Sequence, residues 1–273
     1  MMELQIQKSQ IQLPKKRQEN NLSKFQFDVM KTFSKYFFLL ISLYSFAQDD
    51  CVKGEAAFKE ENYKLAQNYL KNCFDKNPNN SEVNFKLARS YAKTENWKAA
   101  AETYKILVEA NPNNADYNFY YGGSLGLYAK SINPVKSVTY ISDIKYYLKK
   151  AIELNSKHID ARWALVQIYM ELPFIVGGSK STAEDYAAQL LKLSPVDGRL
   201  ALGYIYFYEE DWKAAEQEYK RAVAIGKSET CYQKLIEVQL KQNKLQEAKK
   251  TLQEAYKVTQ VDAFKIQLEK LNL

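Results

Sequence analysis

Histidine occurs once in the 273 residues, at His158, and cysteine three times, at Cys51, Cys73 and Cys231. A zinc site needs three or four such side chains converging at short spacing, and this set is scattered along the chain. The residues therefore predict no metal centre. Gly177-Gly178-Ser179-Lys180-Ser181-Thr182 approaches a phosphate loop. A phosphate loop, however, places glycine directly before the lysine and another glycine five residues earlier, and here serine precedes Lys180. The stretch reads instead as a loop whose glycines free the backbone, with Ser179 or Ser181 capping a following helix; an anion held at that helix start is the alternative. Glu209, Glu210 and Asp211 are adjacent in a turn, which solvates their carboxylates. General acid–base work needs carboxyl groups set apart in pKa by burial. No nucleophile, acid–base pair or cofactor motif stands out, so an enzyme is not expected.

The elements that hold these residues are helices. In residues 200–225, small residues (Gly203, Ala215, Ala222) recur one turn away from bulky ones (Tyr206, Trp212, Tyr219). Close-packed helices need a residue without bulk at the crossing and larger side chains beside it. The order repeats earlier in the chain at one period. Gly54 and Ala88, Tyr63 and Trp97, Ala66 and Ala100, Leu70 and Tyr104, and Pro78 and Pro112 are all separated by the same interval. Between them the turns Asn77-Pro78-Asn79-Asn80 and Asn111-Pro112-Asn113-Asn114 stop one helix and cap the next.

This pattern resembles the tetratricopeptide repeat, a helix–turn–helix unit of about 34 residues, which is the interval between those pairs. The resemblance implies an all-α, right-handed superhelical solenoid of about six units with a C-terminal capping helix. The units fall at about 47–80, 81–114, 115–158, 159–195, 196–228 and 229–258, with the cap at 259–273. The third and fourth carry insertions. Ser131–Tyr140 reads as a loop before an extended second helix, and Leu172–Lys180 holds about five extra residues. In the family, the first helix of each unit lines a concave binding face. Carried onto this chain, that face offers Phe58, Phe85, Arg89, Lys93, Phe119, Trp163, Gln167, Met170, Tyr204 and Phe207, with Gly123 and Gly126 between them. Trp163, Tyr204 and Phe207 should be partly exposed, and Gly203, Ala215 and Tyr219 buried in the seam. The family's carboxylate clamp uses Lys and Asn at fixed first-helix positions, and neither residue stands at those positions in the first five units.

Antiparallel helices bring an early position of the first helix beside a late position of the second. Cys51 and Cys73 occupy such positions, and a disulfide between them is expected if the chain is exported. Met30–Ala47 has the layout of a signal peptide: Lys31 and Lys35, an apolar run from Tyr36 to Phe46, then Ser45 and Ala47 at the cleavage positions. Residues 1–29 then read as a non-native or disordered extension, and a solenoid of 48–273 as a periplasmic or secreted protein without stable membrane insertion. The formal charge of +7 belongs mostly to the N-terminus, since residues beyond 47 carry 32 Lys/Arg against 29 Asp/Glu. That balance gives no footprint for nucleic acid. The expected function is non-catalytic binding of a protein or peptide. Two alternatives are an accessory subunit of an envelope transport or assembly complex and a small-molecule carrier. A carrier would use an apolar pocket in the third and fourth units around Phe119, Tyr120, Trp163 and Met170.

Overall fold

A computed structural model describes residues 50–272, all of whose regular elements are helical. The signal peptide at Met30–Ala47 and the extension at 1–29 lie outside the described residues. Compactness divides the chain into two units, one ending at Ser90 and the other beginning at Tyr91.

The first unit contains α1 (50–59), α2 (Tyr63–Lys76) and most of α3 (Ser81–Lys93). Its core is Ala57, Ala66, Leu70, Cys73, Val83, Leu87 and Ala88, all buried. Gly54 permits the α1–α2 crossing, because a Cβ there would stand 2.8 Å from Leu70 Cγ and 3.0 Å from its backbone nitrogen. Cys51 and Cys73 are joined as a disulfide with their Cα atoms 5.2 Å apart. At the α2–α3 turn the Asn80 Oδ1 accepts from the Val83 N–H, and the buried Asn84 donates Nδ2–H to the Pro78 carbonyl at 2.7 Å. Asn118 makes the same bond to Pro112 at 3.0 Å in the second unit. Both Asn-Pro-Asn-Asn turns are thus closed by a buried amide at the same place in the repeat.

The second unit continues with α4 (Trp97–Ala110), α5 (Ala115–Ser131), the short α6 (Pro134–Ser137), α7 (Ile141–Leu154), α8 (Ile159–Glu171) and α9 (Lys180–Leu193). It ends with α10 (Pro195–Tyr208), α11 (Trp212–Gly226), α12 (Glu229–Lys241), α13 (Leu245–Thr259) and α14 (Asp262–Asn272). Apart from the short α6, each helix packs on the next, and α8 also touches α5 and α10, as α10 touches α12. The first helices of successive hairpins therefore form one layer and the second helices another. Gly203, Ala215 and Tyr219 are buried at the α10–α11 seam. The closing helix α14 buries Phe264 against Tyr232, with Val261, Leu268 and Leu271 packed on the same cluster.

Sharp turns inside the hairpins share one device. Glu95, Glu210 and Asn243 adopt left-handed φ of 60°, 60° and 57°. The next residue sends its N–H back to a carbonyl five positions earlier, as in Asp211 to Tyr206 at 2.9 Å. This is the Schellman closure, which glycine fills without strain and which these residues fill at a cost.

The insertion after α5 shortens the expected loop to Ile132-Asn133 and bears out the extended second helix, since helical backbone runs from α6 through a 3-10 turn at Val138–Tyr140 straight into α7. Here α5 itself runs long, and Asn133-Pro134 starts a new helical turn whose cap, Asn133 Oδ1, accepts from the Val135 N–H. Proline is well placed at the start of a helix because the N–H it lacks would have no partner there. In the next insertion, Gly177 takes φ +88° and Gly178 lies so close to the Leu172 carbonyl that a Cβ would fall 1.8 Å from its oxygen. Ser179 then caps α9, accepting from the Thr182 N–H.

Glu216 of α11 ties three helices together. Its carboxylate takes Lys220 at 2.7 Å, Lys244 at 2.5 Å and the Gln242 amide at 2.9 Å. Burial alone would push this carboxyl up, but the bonds from Lys220, Lys244 and Gln242 outweigh it and pull its pKa to about 2. A carboxyl depressed by folding stabilises above its ordinary range near 4.5, and that stabilisation drains away as pH falls toward about 2. Allowing for solvent screening, it amounts to about 1–2 kcal/mol. Between pH 5 and pH 2 the native protein should therefore lose more thermal stability than Glu216→Gln does. Parallel losses would show that the cluster contributes nothing.

Candidate functional site

Three helices of the second unit line a pocket of about 460 Å³ that opens to solvent. One wall is α5, through Phe119, Gly122, Gly123, Gly126, Leu127 and Lys130. A second is α7, through Ile141, Ile144 and Leu148, and the third is α8, through Asp160, Trp163, Ala164, Gln167, Ile168 and Glu171. The helix path explains the composition. On α5 and α8 the lining residues recur at three- and four-residue steps, which places them on one face of each helix.

The glycines of α5 do different things. Gly122 lets α7 approach, since a Cβ there would stand 3.2 Å from Leu148 Cγ and 3.3 Å from the Ile144 carbonyl oxygen. Gly123 has nothing within 4 Å of a Cβ position, and Gly126 has only Ile144 Cγ2 at 3.7 Å. Interior helical glycine costs about 0.5–1 kcal/mol relative to alanine, and neither of these two is required by packing. What they leave is space. Gly123→Ala with Gly126→Ala should raise stability by about 1–2 kcal/mol in a thermal melt. A drop would mean that α5 needs bare backbone at those positions.

The rim is polar. Lys130 Nζ lies 2.5 Å from Glu171 Oε2, and the Tyr204 hydroxyl donates to Glu171 Oε1 at 3.2 Å. Burial, reinforced by the neighbouring Glu171 carboxylate, pushes the Tyr204 phenol well above its usual range, so the hydroxyl stays protonated as a donor. Trp163 donates its indole N–H to Asp197 at 3.1 Å, and its ring meets Tyr204 edge-on at 6.4 Å. Below Phe119 lies His158, which caps α8 by accepting the Ala161 N–H at Nδ1. Its Nε2 is buried 3.6 Å from Asp116. Burial holds its pKa below the ordinary histidine value despite that carboxylate.

Of the residues expected on the binding face, the structure brings Phe119, Trp163 and Gln167 into the pocket, along with Gly123 and Gly126. Tyr204 and Phe207 are half-buried in the same layer, but Tyr204 is bonded to Glu171 and Phe207 packs edge-on against Trp212 at 4.8 Å. Met170 is a correction. It is buried, because α8 is covered by α7, α9 and α10 and this side faces the interior. Tyr120 likewise leaves the pocket and stacks on Tyr104. In the first unit, Phe58 and Phe85 are half-buried, each with the Arg89 guanidinium 5.8 Å from its ring centroid. The basic spot expected there is tempered, since Lys86 is paired with Glu55 at 2.9 Å and Glu82 at 2.7 Å. Lys93, the last residue of α3, is exposed in the second unit. Sequence reasoning missed the α7 wall and the Lys130–Glu171 pair, both of which depend on the path of the insertion.

Among the described residues no group of three metal-ligating side chains converges, and no helix is long and apolar enough to cross a membrane.

These stacked helix pairs define an all-α tetratricopeptide-repeat fold. The tetratricopeptide repeat family model matches residues 57–118. A thermophilic tetratricopeptide-repeat protein of Thermus thermophilus is similar, with 19% identity and a TM-score of 0.56 over 71% of this chain and 99% of that one. A tetratricopeptide repeat protein of Parabacteroides merdae gives 12% identity and a TM-score of 0.55 over 78% and 79%. PilF of Pseudomonas aeruginosa gives 14% and 0.51 over 82% and 96%. At such identities the likeness concerns the fold alone. No curated protein matches the chain.

Proposed function

We propose that this protein is an exported, non-catalytic scaffold that binds a protein or peptide along the first-helix layer of its second unit. The observation that carries the reading is the pocket between α5, α7 and α8, apolar within, polar at its rim and kept open by two glycines that packing does not need. Layered helix pairs present such a surface preorganised, so little ordering entropy is lost on binding. Export is supported by the signal-peptide layout of Met30–Ala47 and by the Cys51–Cys73 disulfide, a bond that persists in oxidising compartments. On this reading the mature chain is periplasmic or secreted and begins at Gln48. An intact N-terminus on membrane-bound protein would argue for an uncleaved anchor instead. A small-molecule carrier would favour an enclosed cavity, whereas this pocket is open.

A photo-cross-linking residue placed at Gln167, exposed at the pocket, tests the function directly. The same group at Lys250, exposed on α13, is the control. A protease-sensitive adduct at Gln167 and none at Lys250 is the expected result. A protease-resistant small adduct would favour the carrier, and equal adducts at both sites would remove the groove.

A further inference from the structure

The pocket also carries information about what it receives. Of its charged lining residues, Lys130 and Glu171 neutralise each other at 2.5 Å. Asp160 remains, exposed, with no ion-pair partner among the described residues. It stands one helical turn before Trp163 and so on the same face of α8. Asp116 stands one turn before Phe119 on α5, exposed, with the His158 ring nitrogen 3.6 Å from its carboxylate. Each aromatic wall of the pocket therefore has a carboxylate beside it on the N-terminal side. The interior between them is aliphatic and aromatic, and Gly123 and Gly126 hold its space open.

We propose that this pocket anchors a bulky apolar side chain of a bound peptide, with a lysine or arginine next to that side chain engaging Asp160. The inference rests on the peptide-binding reading above and names the chemistry of its partner. Apolar burial in the pocket supplies the affinity, as at the anchor residues of other interfaces. The carboxylates supply the choice of sign, because an acidic neighbour would meet like charge. Trp163 adds a ring face that a cation can approach.

Three capped peptides in a glycine–serine frame serve as probes: a Leu-Phe pair flanked by lysines, the same pair flanked by glutamates, and a Ser-Ser pair flanked by lysines. Affinity is measured by fluorescence anisotropy. The native protein should bind the first at least tenfold more tightly than either of the others. Gly126→Leu, or Gly123→Leu where the first variant melts early, fills the space and should weaken the first peptide at least tenfold. Asp160→Asn should weaken it about threefold to fivefold, and leave the glutamate-flanked peptide unchanged or tighter. Equal binding of both charge versions, or binding that survives the filled pocket, overturns the anchor while leaving peptide binding in place. Binding of dodecylamine without any of the peptides overturns both, as does the absence of all binding.

Discussion

Gly198→Ala should lower the stability of the second unit by about 3 kcal/mol, at the upper end of what overpacking a helix crossing costs. A Cβ at Gly198 would stand 2.2 Å from Leu191 Cα and 2.4 Å from its nitrogen. Both are backbone atoms, so no side chain can swing aside. The helices have no slack either. Ser194 alone joins them, closing α9 through its N–H to the Leu190 carbonyl at 2.7 Å and capping α10 with its hydroxyl. At this unit size the melting temperature should fall by about 6–12 °C. Gly203→Ala, which meets the buried Tyr219 ring at 2.3 Å, should cost less because a ring can shift slightly. A melting curve for Gly198→Ala that overlays the native one would contradict the α9–α10 crossing described above.

The second large effect lies in the first unit. Cys51 and Cys73 are 22 positions apart, and closing a loop of that length removes unfolded-chain entropy equivalent to about 3 kcal/mol. The first unit is small, so the bond is a large share of what holds α1 on α2. Cys51→Ser with Cys73→Ser should speed amide hydrogen exchange across 50–76 by roughly two orders of magnitude while leaving α11–α13 unchanged. Equal exchange in both forms would show that packing alone holds α1. The oxidised, denatured chain should present one titratable thiol, that of Cys231, which is buried in the native protein. Three would exclude the bridge.

Much of this fold is legible in the sequence because its seams are periodic. Gly54, Ala66 and Leu70 recur one repeat later as Ala88, Ala100 and Tyr104, and all six are buried. Gly198 is not legible in that way. The junctions at 77–80, 111–114 and 155–158 use four-residue turns, but here one serine does the work, and the close approach that results exists only once the two helices are built. Met170 fails for a different reason. Buried on more than one side, α8 shows no single apolar stripe, and periodicity cannot separate groove from seam on such a helix. The pocket lies between these cases. Phe119, Trp163 and Gln167 were readable as first-helix positions. Ile141, Ile144 and Leu148 were not, because their place depends on how α6 leads the chain back onto α5.

The most direct test of the account uses the three tryptophans, Trp97, Trp163 and Trp212, whose indole N–H signals can be followed separately by NMR. Only Trp163 lines the pocket. As the lysine-flanked Leu-Phe peptide is titrated in, the Trp163 indole signal should move to saturation while those of Trp97 and Trp212 hold still. Saturable binding of the same peptide with the Trp163 signal unmoved would place the peptide elsewhere and contradict the account.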